Sequence, residues 1–229
     1  MPSQLPLNLQ LNDEATFENF CIGSNVLALS ALKTFHEKKE VFIFLWGTFS
    51  VGKTHLLQAC CHAYQQMNFS TIYIPFKQHE QFRPSLLNGL ETLNLICLDD
   101  IDAVLRYADW EEALFHCYNQ LQQQHCQLII TASKPPLYLT CQLPDLKSRL
   151  SQGLTLKLEE LTDDQKLEAL KIRAKNRGLI LNSEAGLFLM HHYPRHMQTL
   201  FDALNHLDHV SLAEQRRLTV PFIKKVLGL

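Results

Sequence analysis

The sequence predicts an α/β nucleotide-binding base, built on a parallel sheet with helices on both faces and followed by a small all-helical lid. Three observations carry this. The octapeptide Gly47-Thr48-Phe49-Ser50-Val51-Gly52-Lys53-Thr54 fits G-x-x-x-x-G-K-[ST], the phosphate-binding P-loop. Apolar runs alternate with helical spacings from Val41 to Leu158, the signature of parallel strands joined by helices. From Thr162 onward only helical patterns remain.

Taken in order, residues 1–12 stand apart as a tail, residues 13–160 form the base and residues 161–229 the lid. Asn25 to His36 reads as a helix. Val41-Phe42-Ile43-Phe44-Leu45-Trp46 is the continuous apolar run that a strand buried on both faces needs. Ser70–Phe76, Leu93–Leu98, Gln127–Ala132 and Leu154–Leu158 read as four further strands, and about Trp110 to Gln124 as a helix between two of them. In the lid, Thr162-x-x-Gln165 is a capping box opening a helix that stops at Gly178. Ser183–His192 is a second helix, Pro194-Arg195 begins a third, and Thr219-Val220-Pro221 starts a last one with proline in the first turn.

Composition narrows the function classes. A net charge of −2 argues against a dedicated nucleic-acid binder. The seven cysteines are odd in number, lack a C-x-x-C pair and lie mostly within apolar runs, which reads as reduced thiols in a cytoplasmic protein. No apolar stretch reaches the length of a bilayer span.

The chemistry centres on the P-loop. Its glycines let successive backbone N–H groups turn toward phosphate oxygens, and the helix that follows aims its positive end at the same anion. Gly47, Ser50, Val51, Gly52, Lys53, Thr54 and His55 are therefore candidate nucleotide-binding residues, with ADP or ATP as ligand. Lys53 suits the β- and γ-phosphates, and the Thr54 hydroxyl suits magnesium. Asp99-Asp100 closes an apolar strand in the Walker B manner, which makes Asp99 the second magnesium candidate. Asp100 has two readings: a base acting on the attacking water, or a cap on the next helix.

These residues resemble the DnaA family of AAA+ proteins, and within it the small Hda-type regulators, over nearly the whole chain. Thr16-Phe17-Glu18-Asn19-Phe20 followed by Ile22-Gly23-x-Asn25 is similar to the family's adenine-side segment. Leu143-Pro144-Asp145-Leu146-x-Ser148-Arg149-Leu150 resembles its arginine-finger region, and Arg195-His196-Met197-x-Thr199-Leu200-Phe201 its sensor 2 helix. The resemblance implies nucleotide contacts from Ile22, Gly23, Asn25 and Arg195, and an Arg149 that acts in trans on a neighbour's ATP. Ser133 occupies the sensor 1 position, where relatives carry an acid; a serine opening a turn before Pro135 is the other reading.

Gln4, Leu5, Leu7 and Leu9 resemble the peptide by which such regulators dock on the sliding clamp of DNA polymerase; an edge strand or a free tail is the alternative. With no helix-turn-helix domain expected after Leu229, the resemblance points away from sequence-specific DNA binding. It points toward a negative regulator of replication initiation that promotes hydrolysis of DnaA-bound ATP. Its partners would be the clamp, DnaA and a second copy of itself, with no membrane. Intrinsic ATPase activity would be weak or nil. A free-standing AAA+ motor ATPase or helicase loader is the alternative function.

Overall fold

A computed structural model describes residues 11–38, 41–214 and 218–229. The chain forms two compact units. The first comprises residues up to 18, 26–48 and 52–158; the second comprises 19–25, 49–51 and 159–229.

The first unit opens with helix α1 (Val26–Lys33), which starts one residue later and ends three residues earlier than the sequence pattern suggests. A short 3-10 turn over Phe35–Glu37 accounts for the missing end. Strand β1 (Phe42–Trp46), helix α2 (Lys53–Gln66), β2 (Thr71–Pro75), β3 (Leu95–Asp99), α3 (Ala108–Gln123), β4 (Gln127–Ala132), α4 (Pro144–Leu150) and β5 (Leu154–Lys157) follow. The sheet order is β2-β3-β4-β1-β5. Every neighbouring pair is parallel, with Leu45 opposite Thr131 and Cys97 opposite Ile129.

Strand alternation sorts the core into two layers. Phe42 and Phe44 join Ile96, Leu98, Leu128 and Ile130 under α3, whose Trp110, Leu114, Cys117, Tyr118 and Leu121 are buried there. Ile43, Leu45 and Cys97 point to the other face, where α2 lies: the Cys97 thiol meets the Leu57 carbonyl at 3.7 Å. The parallel strands are thus apolar on both faces, and all their C-terminal ends open on one edge, where ligands of such sheets bind.

In the second unit, helices α5 (Asp163–Asn176), α6 (Ser183–His192), α7 (Met197–Glu214) and α8 (Val220–Leu227) surround a core of Leu170, Leu189, Leu200, Leu204, Leu207 and Ile223. The Thr162 capping box forms as read: its hydroxyl accepts from the Gln165 N–H, while the Gln165 side chain accepts from the Thr162 N–H. Helix α7 begins at Met197, so Arg195 lies two residues ahead of the helix that the sequence reading starts at Pro194-Arg195.

Candidate functional site: a P-loop and its carboxylate

The P-loop follows β1 directly. Trp46 ends the strand, and the Gly47 N–H still pairs with the Ala132 carbonyl at 3.3 Å. The loop then turns through two left-handed positions, Ser50 at φ 65° and Gly52 at φ 97°. A side chain at residue 52 would be strained there, which is the local reason for glycine. Helix α2 starts at the next residue, so its N-terminal N–H groups and dipole face the loop.

Lys53 is buried, and its Nζ donates to the Gly47 and Thr48 carbonyls at 2.8 and 2.9 Å. Burial pulls its pKa below the ordinary lysine value, against the opposing pull of Asp100 and Asp99. A dry ammonium held by neutral carbonyls is poised to gain from an incoming anion.

Next to it sits a carboxylate with three hydroxyl partners. Thr54 Oγ1 donates to Asp99 Oδ2 at 2.7 Å, Tyr73 donates to the same oxygen at 2.8 Å, and Thr131 Oγ1 lies 2.5 Å from Oδ1. Asp99 is only 3% exposed. Burial, and then the Asp99 charge, push the Tyr73 phenol well above its ordinary range, so it stays a donor. The two groups read as magnesium ligands, Thr54 and Asp99, are thus adjacent oxygen donors, a set that suits a small hard cation.

Asp100 departs from its strand into the left-handed region, with φ 54° and ψ 56°. Its N–H donates to Thr131 Oγ1 at 2.8 Å, and its carboxylate lies 2.7 Å from Lys77 Nζ. Burial and the neighbouring Asp99 charge raise its pKa, while Lys77 lowers it. Ser133 turns to Asp102, which accepts from both the serine hydroxyl and its N–H.

Tyr73, Lys77 and Thr131 escaped the sequence reading. Thr131 had a signal, as the one hydroxyl in the apolar part of β4, directly beside Leu45 at the mouth of the P-loop strand. Tyr73 carries no such signal, since an aromatic residue in an apolar strand is common.

The remaining candidates have the following surroundings. His55 Nε2 donates to the Thr16 carbonyl at 2.7 Å. Arg149, on α4, has Nη1 at 3.3 Å from Gln152 Oε1. In the second unit, Asn25 Nδ2 donates to the Glu159 carbonyl at 3.1 Å and its Oδ1 accepts from the Glu159 N–H at 2.7 Å. Gly23 has φ +51°, and a Cβ there would stand 2.6 Å from Leu161 Cδ2. Ile22 is 42% exposed beside them. Ser50 Oγ accepts from the Gln198 N–H at the start of α7 at 2.7 Å, and Val51 is half-buried. Arg195 Nη1 lies 2.7 Å from Asp163 Oδ2. Gln4, Leu5, Leu7 and Leu9 fall outside the described residues. Among the described residues no helix is long and apolar enough to cross a membrane.

Comparison with known proteins fits this geometry. Residues 11–157 match the bacterial DnaA ATPase domain, and residues 163–227 match the Hda lid domain. Domain III of the Thermotoga maritima replication initiation protein DnaA superposes with a TM-score of 0.83 at 22% identity, covering 96% of this chain and 98% of that one. AMPPCP-bound DnaA from Aquifex aeolicus gives 0.73 at 24% identity, over 85% of this chain and 64% of that one. The RuvB Holliday junction branch migration motor of Thermotoga maritima gives 0.64 at 17% identity, over 88% and 65%. At such identities the structures speak for the fold alone. The match over residues 11–157 spans more than half of the sequence, so the chain belongs to the bacterial DnaA ATPase domain family, and it carries a lid of the Hda type.

Proposed function

We propose that this chain binds ADP or ATP with magnesium in its P-loop and acts as a negative regulator of replication initiation in the cytoplasm. In this reading residues 4–9 dock on the sliding clamp, and Arg149 acts in trans on ATP held by DnaA. A second copy of the chain is a further partner.

The observation that carries the reading is a DnaA-type ATPase base followed directly by an Hda-type lid. The geometry supports the nucleotide part. Lys53 is buried against loop carbonyls and gains a counter-charge when phosphates arrive. Thr54 and Asp99 would hold magnesium, which would supply positive charge to offset that of the phosphates. Arg195 would approach the nucleotide from its present partner Asp163; both side chains are about half exposed, at 52% and 54%. Such a pair is worth about 0–1 kcal/mol, so release is cheap.

Asp100 supports a binding role over rapid turnover. A carboxylate 2.7 Å from a lysine ammonium is already engaged, and it lies on a strained turn. A motor or loader needs that acid available to a water.

The test is a pull-down with purified clamp from full-length protein, followed by identification of the copurifying nucleotide. Clamp capture with a bound adenine nucleotide supports the reading. A chain that captures no clamp and turns over ATP steadily belongs to the motor class.

A further inference from the structure

A line of hydrogen bonds runs through the base behind Asp99. The Asn12 N–H donates to Gln58 Oε1 at 3.2 Å, the Gln58 side chain is hydrogen-bonded to the Tyr73 phenol, and the phenol donates to Asp99 Oδ2 at 2.8 Å. Because the Gln58 oxygen is taken by a backbone N–H, its NH2 group faces the phenol oxygen. That leaves the phenol proton directed at Asp99. Gln58 and Tyr73 are 9% and 8% exposed, so the arm is nearly dry and water does not readily substitute for either partner. The donors that surround Asp99 come from α2, β2 and β4, which removes the carboxylate's rotational freedom.

We propose that Tyr73, oriented by Gln58, is a positioning residue for Asp99. It holds the carboxylate in the orientation that meets Thr54, and so sets how strongly magnesium–nucleotide is favoured over nucleotide alone. This rests on the reading that the P-loop binds a nucleotide with magnesium. Tyr73 touches neither phosphate nor metal in this scheme; it acts through Asp99. Hydrogen-bond partners behind a metal-binding carboxylate typically change metal affinity about 10–100-fold.

The experiment is titration of ADP into the full-length protein, with magnesium and with chelator. The variants are Tyr73→Phe, Gln58→Leu, Asp99→Asn and the Tyr73→Phe/Asp99→Asn double. Tyr73→Phe should reduce the gain in affinity from magnesium about tenfold while the metal-free affinity stays at the wild-type value. Gln58→Leu should move the same ratio in the same direction by less. In the Asp99→Asn background, Tyr73→Phe should have no further effect, as expected of two residues acting through one group.

An unchanged magnesium gain in Tyr73→Phe overturns the inference. So does an equal loss with and without metal, the mark of a merely structural role. If wild type binds ADP equally well in both conditions, the nucleotide reading stands and the positioning role falls. If wild type binds no ADP, the nucleotide reading itself falls and the role goes with it.

Discussion

Asn25 grips the backbone of Glu159 at two points, donating to its carbonyl at 3.1 Å and accepting from its N–H at 2.7 Å. Asn25 is 3% exposed, so the amide side of both bonds is buried. The asparagine for which the resemblance implies an adenine-side role therefore also fastens residues 19–25 to the rest of the second unit.

Asn25→Ala should destabilise that unit by about 1–3 kcal/mol, because it removes two part-buried hydrogen bonds and the buried side chain that makes them. Chemical denaturation with no nucleotide present measures this. A mutant as stable as wild type would show that water replaces the amide at no cost.

Lys53→Ala should change stability with opposite signs in two conditions. Without nucleotide it removes a desolvated ammonium, so the melting temperature should hold or rise. With nucleotide in excess it removes the stabilisation by ligand, about 2.7 kcal/mol at a hundredfold excess over Kd. Paired melting curves of stripped and loaded protein read both signs. Equal behaviour in the two states would place the nucleotide elsewhere.

Arg149→Ala should leave the fold intact. The residue is half-buried, and its Gln152 contact is a single 3.3 Å hydrogen bond at the surface, so its loss should be worth well under about 1 kcal/mol. Nucleotide content and clamp capture should persist, while acceleration of ATP hydrolysis on DnaA disappears. Arg149→Lys should fail as well, since an ammonium lacks the planar fork. Conversion of DnaA-bound ATP to ADP with DNA-loaded clamp is the readout; full activity of the alanine variant would remove Arg149 from the mechanism.

Gln4→Ala combined with Leu7→Ala should abolish clamp capture and leave the melting temperature unchanged. Clamp affinity by surface plasmon resonance, beside a thermal melt, separates docking from folding. Retained affinity would move the docking site to another part of the chain.

Stability should fall on the alkaline side. Burial raises the thiols of Cys60 and Cys97 well above the usual value, Cys117 to about 12 and Cys126 to about 11. The sign follows from proton counts. Above the ordinary thiol pKa the unfolded chain has released protons that the fold still holds, so rising pH favours unfolding. The stabilisation is complete below about pH 8.5 and is lost progressively toward pH 12. Lys53, with its lowered pKa, acts in the opposite direction as a single group. A melting temperature flat to pH 8.5 and declining beyond checks this, and Cys117→Ala should shallow the decline.

Much of this arrangement was legible because it rests on local rules. Strand β4 and helix α6 begin and end where apolar run and cap residues put them, and the Thr162–Gln165 box is a sequence pattern with one geometry. The P-loop reads directly because its glycine spacing has few other uses. The stretch between β2 and β3 did not read, since its 3-10 turns over Phe76–Gln81, Pro84–Leu87 and Leu90–Thr92 are too short for periodicity to register. The seven-residue helix α4, about two turns, escaped for the same reason. The partners of Asp99 were hidden differently. Tyr73 and Thr131 lie 26 and 32 residues from it, and only the strand order β2-β3-β4 brings them beside it.

The seating of residues 12–16 on the P-loop helix has a mechanical consequence. Asn12 bonds Gln58 and His62, and Thr16 bonds His55, all three on α2. Leu9 is three residues from that anchor, and three residues of fully extended chain span at most about 11 Å. In the proposed reading, a partner gripped at residues 4–9 would hang from α2 by a reach shorter than that helix, and tension on it would be delivered at the helix that begins with Lys53.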